Sequence, residues 1–204
     1  MDLYTRYPVL TVCSAAIDTA LGMILDAYQS GGKLLICGNG GSAADCGPIT
    51  GELMKGFLSR RPVPDDFAAL LEGTHESGKW IAGNLQQAIP AISLPSQTEV
   101  LSAYANDVEP ALVYAQLVYG YARPGDLFVG LSTSGNSKNI VNVAITAKAC
   151  GIRTLALTGQ KPSELSKLCD CTIQVPETET YKVQELHLPV YHYLCAEAEK
   201  RIFR

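Results

Sequence analysis

Apolar and polar positions along this chain switch repeatedly between a helical period and short apolar runs. Residues 9–30 carry apolar side chains at helical spacing (Leu10, Val12, Ala16, Ile17, Ala20, Leu21, Ile24, Leu25), and Gly31-Gly32 ends the pattern. Residues 33–37 (Lys-Leu-Leu-Ile-Cys) read as a compact strand, which Gly38-Asn39-Gly40-Gly41-Ser42-Ala43 turns into a second helix directed towards Phe57. From residue 89 the alternation resumes. Strands are predicted at 91–94, 127–131, 152–157 and 172–175, with helices at 98–104, 110–121, up to Ala149, 163–168 and 181–203. Pro189 removes the hydrogen bond to the Glu185 carbonyl, which predicts a kink in the last helix. Five strands alternating with helices predict an α/β fold of three layers, a parallel sheet with helices on both faces, as one domain over 1–204.

Residues 59–89 break this rhythm. Arg60-Arg61-Pro62-Val63-Pro64-Asp65-Asp66 reads as a loop, followed by a short helix around 67–71 and a polar stretch through His75 and Gly78. The segment is insert-like, and its residues carry no recognisable chemistry.

Two strand-to-helix turns stand out. Residues 128–137, Phe-Val-Gly-Leu-Ser-Thr-Ser-Gly-Asn-Ser, run from a strand into a turn with four hydroxyls at Ser132, Thr133, Ser134 and Ser137. Such a turn offers free backbone N–H groups at the positive end of a helix dipole, a setting that suits a phosphate ester held without a metal. The same residues also serve as an ordinary N-cap. The turn at 38–43 adds Asn39, Gly40, Gly41 and Ser42. It formally fits the G-x-G-x-x-G/A dinucleotide fingerprint, but no strand ending in an acidic residue follows about 20 positions later. Neither turn has the Lys-Ser/Thr ending of a P-loop. In open α/β sheets ligands bind along the strand ends where both turns would lie, so together they could hold a phosphate and the hydroxyls of a small sugar.

Composition narrows the function classes. With 47% hydrophobic and 18% charged residues the chain is an ordered globular protein of 204 residues, and a net charge of −4 argues against a broad nucleic-acid surface. No uninterrupted apolar run approaches the roughly 20 residues of a membrane span, and the first residues lack the pattern of a signal peptide. Seven cysteines without paired C-x-x-C spacing argue against a disulfide framework and for a reducing, cytoplasmic setting.

Two groups near these turns suit acid–base work. Glu52 lies ten residues past Ser42 on the helix that the first turn opens, and His192 lies on the last helix, eight residues after Gln184. Taken singly, Glu52 also fits a solvated helix face and His192 a packed histidine. His187 and Glu185 project at other angles.

Residues 37–45 (Cys-Gly-Asn-Gly-Gly-Ser-Ala-Ala-Asp), Gly51-Glu52-Leu53, residues 131–139 and the segment from Val183-Gln184-Glu185-Leu186-His187 to His192 resemble the sugar isomerase (SIS) domain family, and within it the phosphoheptose isomerases. The resemblance covers nearly the whole chain. It implies a flavodoxin-like five-stranded sheet and a homotetramer with active sites between subunits. The implied reaction isomerises a ketose phosphate such as sedoheptulose 7-phosphate to an aldose phosphate through an enediol. Carried over by position, Ser42, Ser132, Ser134 and Ser137 bind phosphate with Thr133 alongside, while Asn39 and Asp107 contact substrate. Glu52 and His192 form the acid–base pair. Metal-binding relatives hold zinc with a His, this Glu52, this Gln184 and this His192; the first position is Pro48 here, which leaves either catalysis by Glu52 and His192 without metal or a weaker three-ligand zinc site at Glu52, Gln184 and His192. The family's Arg soon after the Glu is also absent, Lys55 or Gly56 standing there. A non-catalytic phosphosugar sensor or assembly protein is the competing reading.

Overall fold

The computed structural model describes residues 2–203. The five strands are β1 (Leu34–Gly38), β2 (Ala91–Ser93), β3 (Leu127–Leu131), β4 (Arg153–Thr158) and β5 (Cys171–Gln174). All pair in parallel in the order β2-β1-β3-β4-β5. The helices are α1 (Leu3–Arg6), α2 (Ser14–Gln29), α3 (Gly41–Met54), α4 (Asp65–Thr74), α5 (Gly78–Asn84), α6 (Thr98–Asp107), α7 (Val113–Tyr121), α8 (Lys138–Ala149), α9 (Glu164–Leu168) and α10 (Thr180–Phe203).

Strand residues alternate between two cores because successive side chains point to opposite faces. Leu34, Ile36, Val129 and Leu155 pack with Ile17 and Leu21 of α2, Ile49 of α3 and Val190 and Leu194 of α10. Leu35, Cys37, Phe128 and Ala156 pack on the other face with Val118 of α7, Ile140 and Val143 of α8 and Leu165 of α9. The three layers and five parallel strands are as the sequence pattern predicts.

The differences are local. The N-terminal helix begins as a short α1 and a 3₁₀ turn over Pro8–Cys13 before α2. The stretch Pro8–Gln29, with a mean hydropathy of 1.7 over an 18-residue window, is by length and composition apolar enough to cross a bilayer, which corrects the reading from uninterrupted runs. Its Ile17, Ala20, Leu21 and Ile24 are buried in the core against the sheet, which accounts for the hydrophobicity within the fold. α10 continues through Pro189 as one helix of 24 residues. Within 59–89 the structure has two helices rather than one: α4 is longer than the expected 67–71, and α5 occupies what reads as a polar stretch. The pair pack on each other and bury no apolar side chain, so neither shows the periodic core-facing stripe that predicts a helix.

Candidate active site

β1 and β3 are neighbours at the centre of the sheet, with Gly38 opposite Leu131. Their two turns therefore open side by side, at the point where the strand order reverses and ligands bind in such sheets. The cleft between them has a volume of about 240 Å³ and is lined by Asn39, Gly40, Gly41, Ser42, Ser132, Thr133, Ser137 and Gln184, with Leu131 and Thr180 completing the wall. Asn39 and Asn139 exchange amide hydrogen bonds of 2.8 and 2.9 Å, which tie the first turn to the start of α8. The second turn is pinned by Gly159 N–H donating to the Thr133 carbonyl and by Gly135, whose φ of +65° suits glycine.

The hydroxyls are positioned but not consumed by capping. Ser137 is the N-cap of α8, yet its side chain makes no capping hydrogen bond and instead accepts one from Ser132 at 3.1 Å. Ser134 faces the adjoining cleft with Asn136, Gln160 and Lys161, and its Oγ accepts from the Asn136 N–H. Thr133 borders both spaces. Gly41 leaves room for Gln184, because a Cβ there would come within 2.5 Å of Gln184 Nε2.

α3 carries the site away from this cleft. Ten residues of helix place Glu52 about 15 Å along the axis from Ser42, and α10 runs beside α3 so that His192 meets Glu52. His192 Nδ1 lies 2.7 Å from Glu52 Oε1. The contact is close but poorly aligned: neither His192 Nδ1 nor Glu52 Oε2 has a hydrogen-bond partner, although both atoms are buried. Burial raises the Glu52 pKa above the usual carboxylate value, and His192, the Cys195 thiol that donates to it, and Lys55 reverse only part of that rise. Phe57 stacks on the imidazole at 5.8 Å with 23° between the planes, and the Tyr191 ring lies 4.6 Å from the imidazole, tilted by 54°. Asp45, almost two turns before Glu52 on α3, accepts a long hydrogen bond of 3.4 Å from the Tyr191 hydroxyl.

The sequence expectations sort accordingly. Glu52 and His192 converge within one chain. Ser42, Ser132, Thr133, Ser137, Asn39, Gly40, Gly41 and Gln184 share the cleft, whereas Ser134 opens next to it. Asp107 lies exposed at the end of α6, where its carboxylate accepts from Asn106, and lines no part of the cleft. Gln184 precedes His192 by about 12 Å of helix. Pro48 is exposed and brings no donor, and among the described residues no three His, Cys, Asp or Glu side chains are grouped to hold a metal. The position at which metal-binding relatives carry His therefore supplies no ligand here. Sequence reasoning gave no role to Asp45, Tyr191 and Cys195, whose approach to Glu52 and His192 depends on how α3 and α10 pack.

A family model of the SIS domain matches residues 95–194. The phosphoheptose isomerase of Akkermansia muciniphila is 34% identical over 203 residues, covering 100% of this chain and 94% of that protein. That of Aneurinibacillus thermoaerophilus is 34% identical over 188 residues, covering 92% and 82%. The chain belongs to the phosphoheptose isomerases of the SIS domain family. The solved phosphoheptose isomerase of Neisseria gonorrhoeae superposes on it with a TM-score of 0.76 at 25% identity, covering 96% of this chain and 91% of that one. A second, from Francisella tularensis, shares the fold with a TM-score of 0.78 at 23% identity and the same coverage.

Burial separates the two histidines of α10. His187 is fully buried and faces the sheet, where neutral Nε2–H donates to the Thr158 carbonyl at 3.3 Å and Nδ1 has no partner. Burial pushes its pKa down to about 4 from 6.5. The folded state thus binds fewer protons than the unfolded chain between those values, and stability falls as pH drops through that window. The expected loss is about 3 kcal/mol between pH 7 and pH 4 from this group, to be read as a lower urea midpoint. His187→Gln should flatten that part of the profile.

Proposed function

We propose that this protein interconverts a ketose phosphate and an aldose phosphate, as the name of its phosphoheptose isomerase relatives implies. The observation that carries the reading is the Glu52–His192 contact at the far end of the helix whose N-terminus borders the hydroxyl cleft. Phosphate at the turns of β1 and β3 would be held by Ser42, Ser132, Thr133 and Ser137 and by free N–H groups. About 15 Å of α3, shortened by the lean of the Glu52 side chain towards the helix N-terminus, separates these anchors from the carboxylate. That interval suits an extended heptose phosphate such as sedoheptulose 7-phosphate, and a triose phosphate would leave its carbonyl short of Glu52.

Glu52 as carboxylate takes the proton from the carbon next to the carbonyl, while His192 donates to the carbonyl oxygen, giving the enediol. Glu52 then returns the proton to the neighbouring carbon as His192 accepts the hydroxyl proton, so electrons balance within the sugar. Catalysis rests on this pair without a four-ligand zinc site. Incubation with chelator should leave turnover unchanged, and Pro48→His should confer zinc retention on dialysis; a chelator-sensitive wild type would overturn the metal-free reading.

The functional test is a panel of ketose phosphates, with aldose product measured directly. Tight binding of sugar phosphate with no product from any of them would favour a sensor, a reading that only Pro48 supports and that leaves the Glu52–His192 contact without a use. Asp107 lies outside its own cleft, which supports a homo-oligomer, a tetramer by family resemblance, in which it reaches a neighbour's site. Seven free thiols support a cytoplasmic location.

A further inference from the structure

Arg61 and Glu199 form an ion pair with almost no exposure, Arg61 Nε donating to Glu199 Oε1 at 2.8 Å. The rest of the guanidinium grips the end of α3: Nη1 donates to the Leu53 carbonyl at 2.7 Å and Nη2 to the carbonyl of Glu52 itself at 3.0 Å. The last carbonyls of a helix have no intrahelical partner, and a cation there complements the dipole. Glu199 in turn accepts from the N–H groups of Phe57 and Leu58, each at 2.8 Å, and of Ser59 at 3.2 Å. It stands seven residues after His192 on α10, two turns along the same face. The Phe203 ring covers the guanidinium at 4.8 Å.

Buried ion pairs are commonly no more stabilising than apolar side chains of similar volume, so stability alone does not explain this one. Its placement does. One guanidinium joins the helix that carries Glu52 to the helix that carries His192, and its partner carboxylate holds the backbone of Phe57, whose ring stacks on the imidazole.

We propose that Arg61 and Glu199 are positioning residues for the isomerisation: they set the approach of Glu52 to His192 and, through Phe57, the tilt of the imidazole. Neither touches substrate. This rests on the isomerase reading: absence of wild-type turnover would defeat both, whereas wild-type turnover with unaltered variants would defeat this proposal alone.

The experiment compares Arg61→Lys and Glu199→Gln with Val118→Ala, a buried change in α7 on the opposite face of the sheet, with melting temperature recorded for each. Lys cannot span both carbonyls and the carboxylate as the planar fork does. Expected are a fall in kcat of about 10- to 100-fold, KM for the sugar phosphate within about twofold because the phosphate cleft lies at the other end of α3, and a displaced acid limb of the kcat/KM profile. Val118→Ala should lower the melting temperature and leave kcat and the profile unchanged. Phe57→Ala serves if the two variants do not fold, with a lower kcat and a displaced profile expected. Wild-type kcat and pH profile in folded Arg61→Lys and Glu199→Gln, or in Phe57→Ala, would overturn the proposal.

Discussion

Glu52→Gln should lower kcat by about 10²- to 10⁴-fold while raising the melting temperature at neutral pH. The opposed signs follow from one cause. Burial raises the Glu52 pKa, so at neutral pH the fold holds the carboxylate in its less favourable form. A folded-state pKa above the unfolded value means that the native protein binds more protons through that window, and stability declines as pH rises through it. Gln is isosteric, carries no charge and removes that decline. It cannot take a proton from carbon, so turnover goes with the charge. KM should stay near its wild-type value because the phosphate anchors are untouched. The same shift places the acid limb of wild-type kcat/KM above the ordinary carboxylate range, with activity falling as pH drops and Glu52 protonates. Loss of both activity and stability in Glu52→Gln would mark Glu52 as a structural residue.

Ser137→Asp should abolish substrate binding and leave the fold intact. Asp is as good an N-cap as Ser, and its charge suits the N-terminus of α8, so the melting temperature should not fall. The new carboxylate sits in the cleft where phosphate would bind, next to the Ser132 hydroxyl. Two unit charges about 4 Å apart in a partly screened site repel by about 4 kcal/mol, roughly a thousandfold in affinity. Isothermal titration with the sugar phosphate, or with inorganic phosphate as the bare anion, reads this directly. Ser134→Asp provides the comparison: Ser134 opens to the adjoining cleft, so its effect should be smaller. Equal and large losses from both would mean that the phosphate spans the two clefts. An unchanged affinity in Ser137→Asp would remove phosphate from this turn altogether.

Much of this molecule is legible in one dimension. The strands of the sheet, the two turns beside β1 and β3, and the hydroxyls that line them follow from local pattern, because apolar period and turn chemistry act over a few residues. Chain order also determined the parallel sheet, since alternating strands and helices admit few topologies. The convergence of Glu52 with His192 was legible only through family resemblance: 140 positions separate them, and each alone fits an ordinary helix face. Tertiary structure decided the rest. It brought the two helices alongside each other, buried Glu52 and so raised its pKa, turned His187 to the sheet and His192 to the carboxylate, and left Asp107 outside the cleft. It also drew Arg61 out of what reads as a polar, proline-broken loop into the interior. An arginine is buried when a carboxylate and free carbonyls await it there, and those partners, Glu199 and the end of α3, come from distant parts of the chain that only folding makes neighbours.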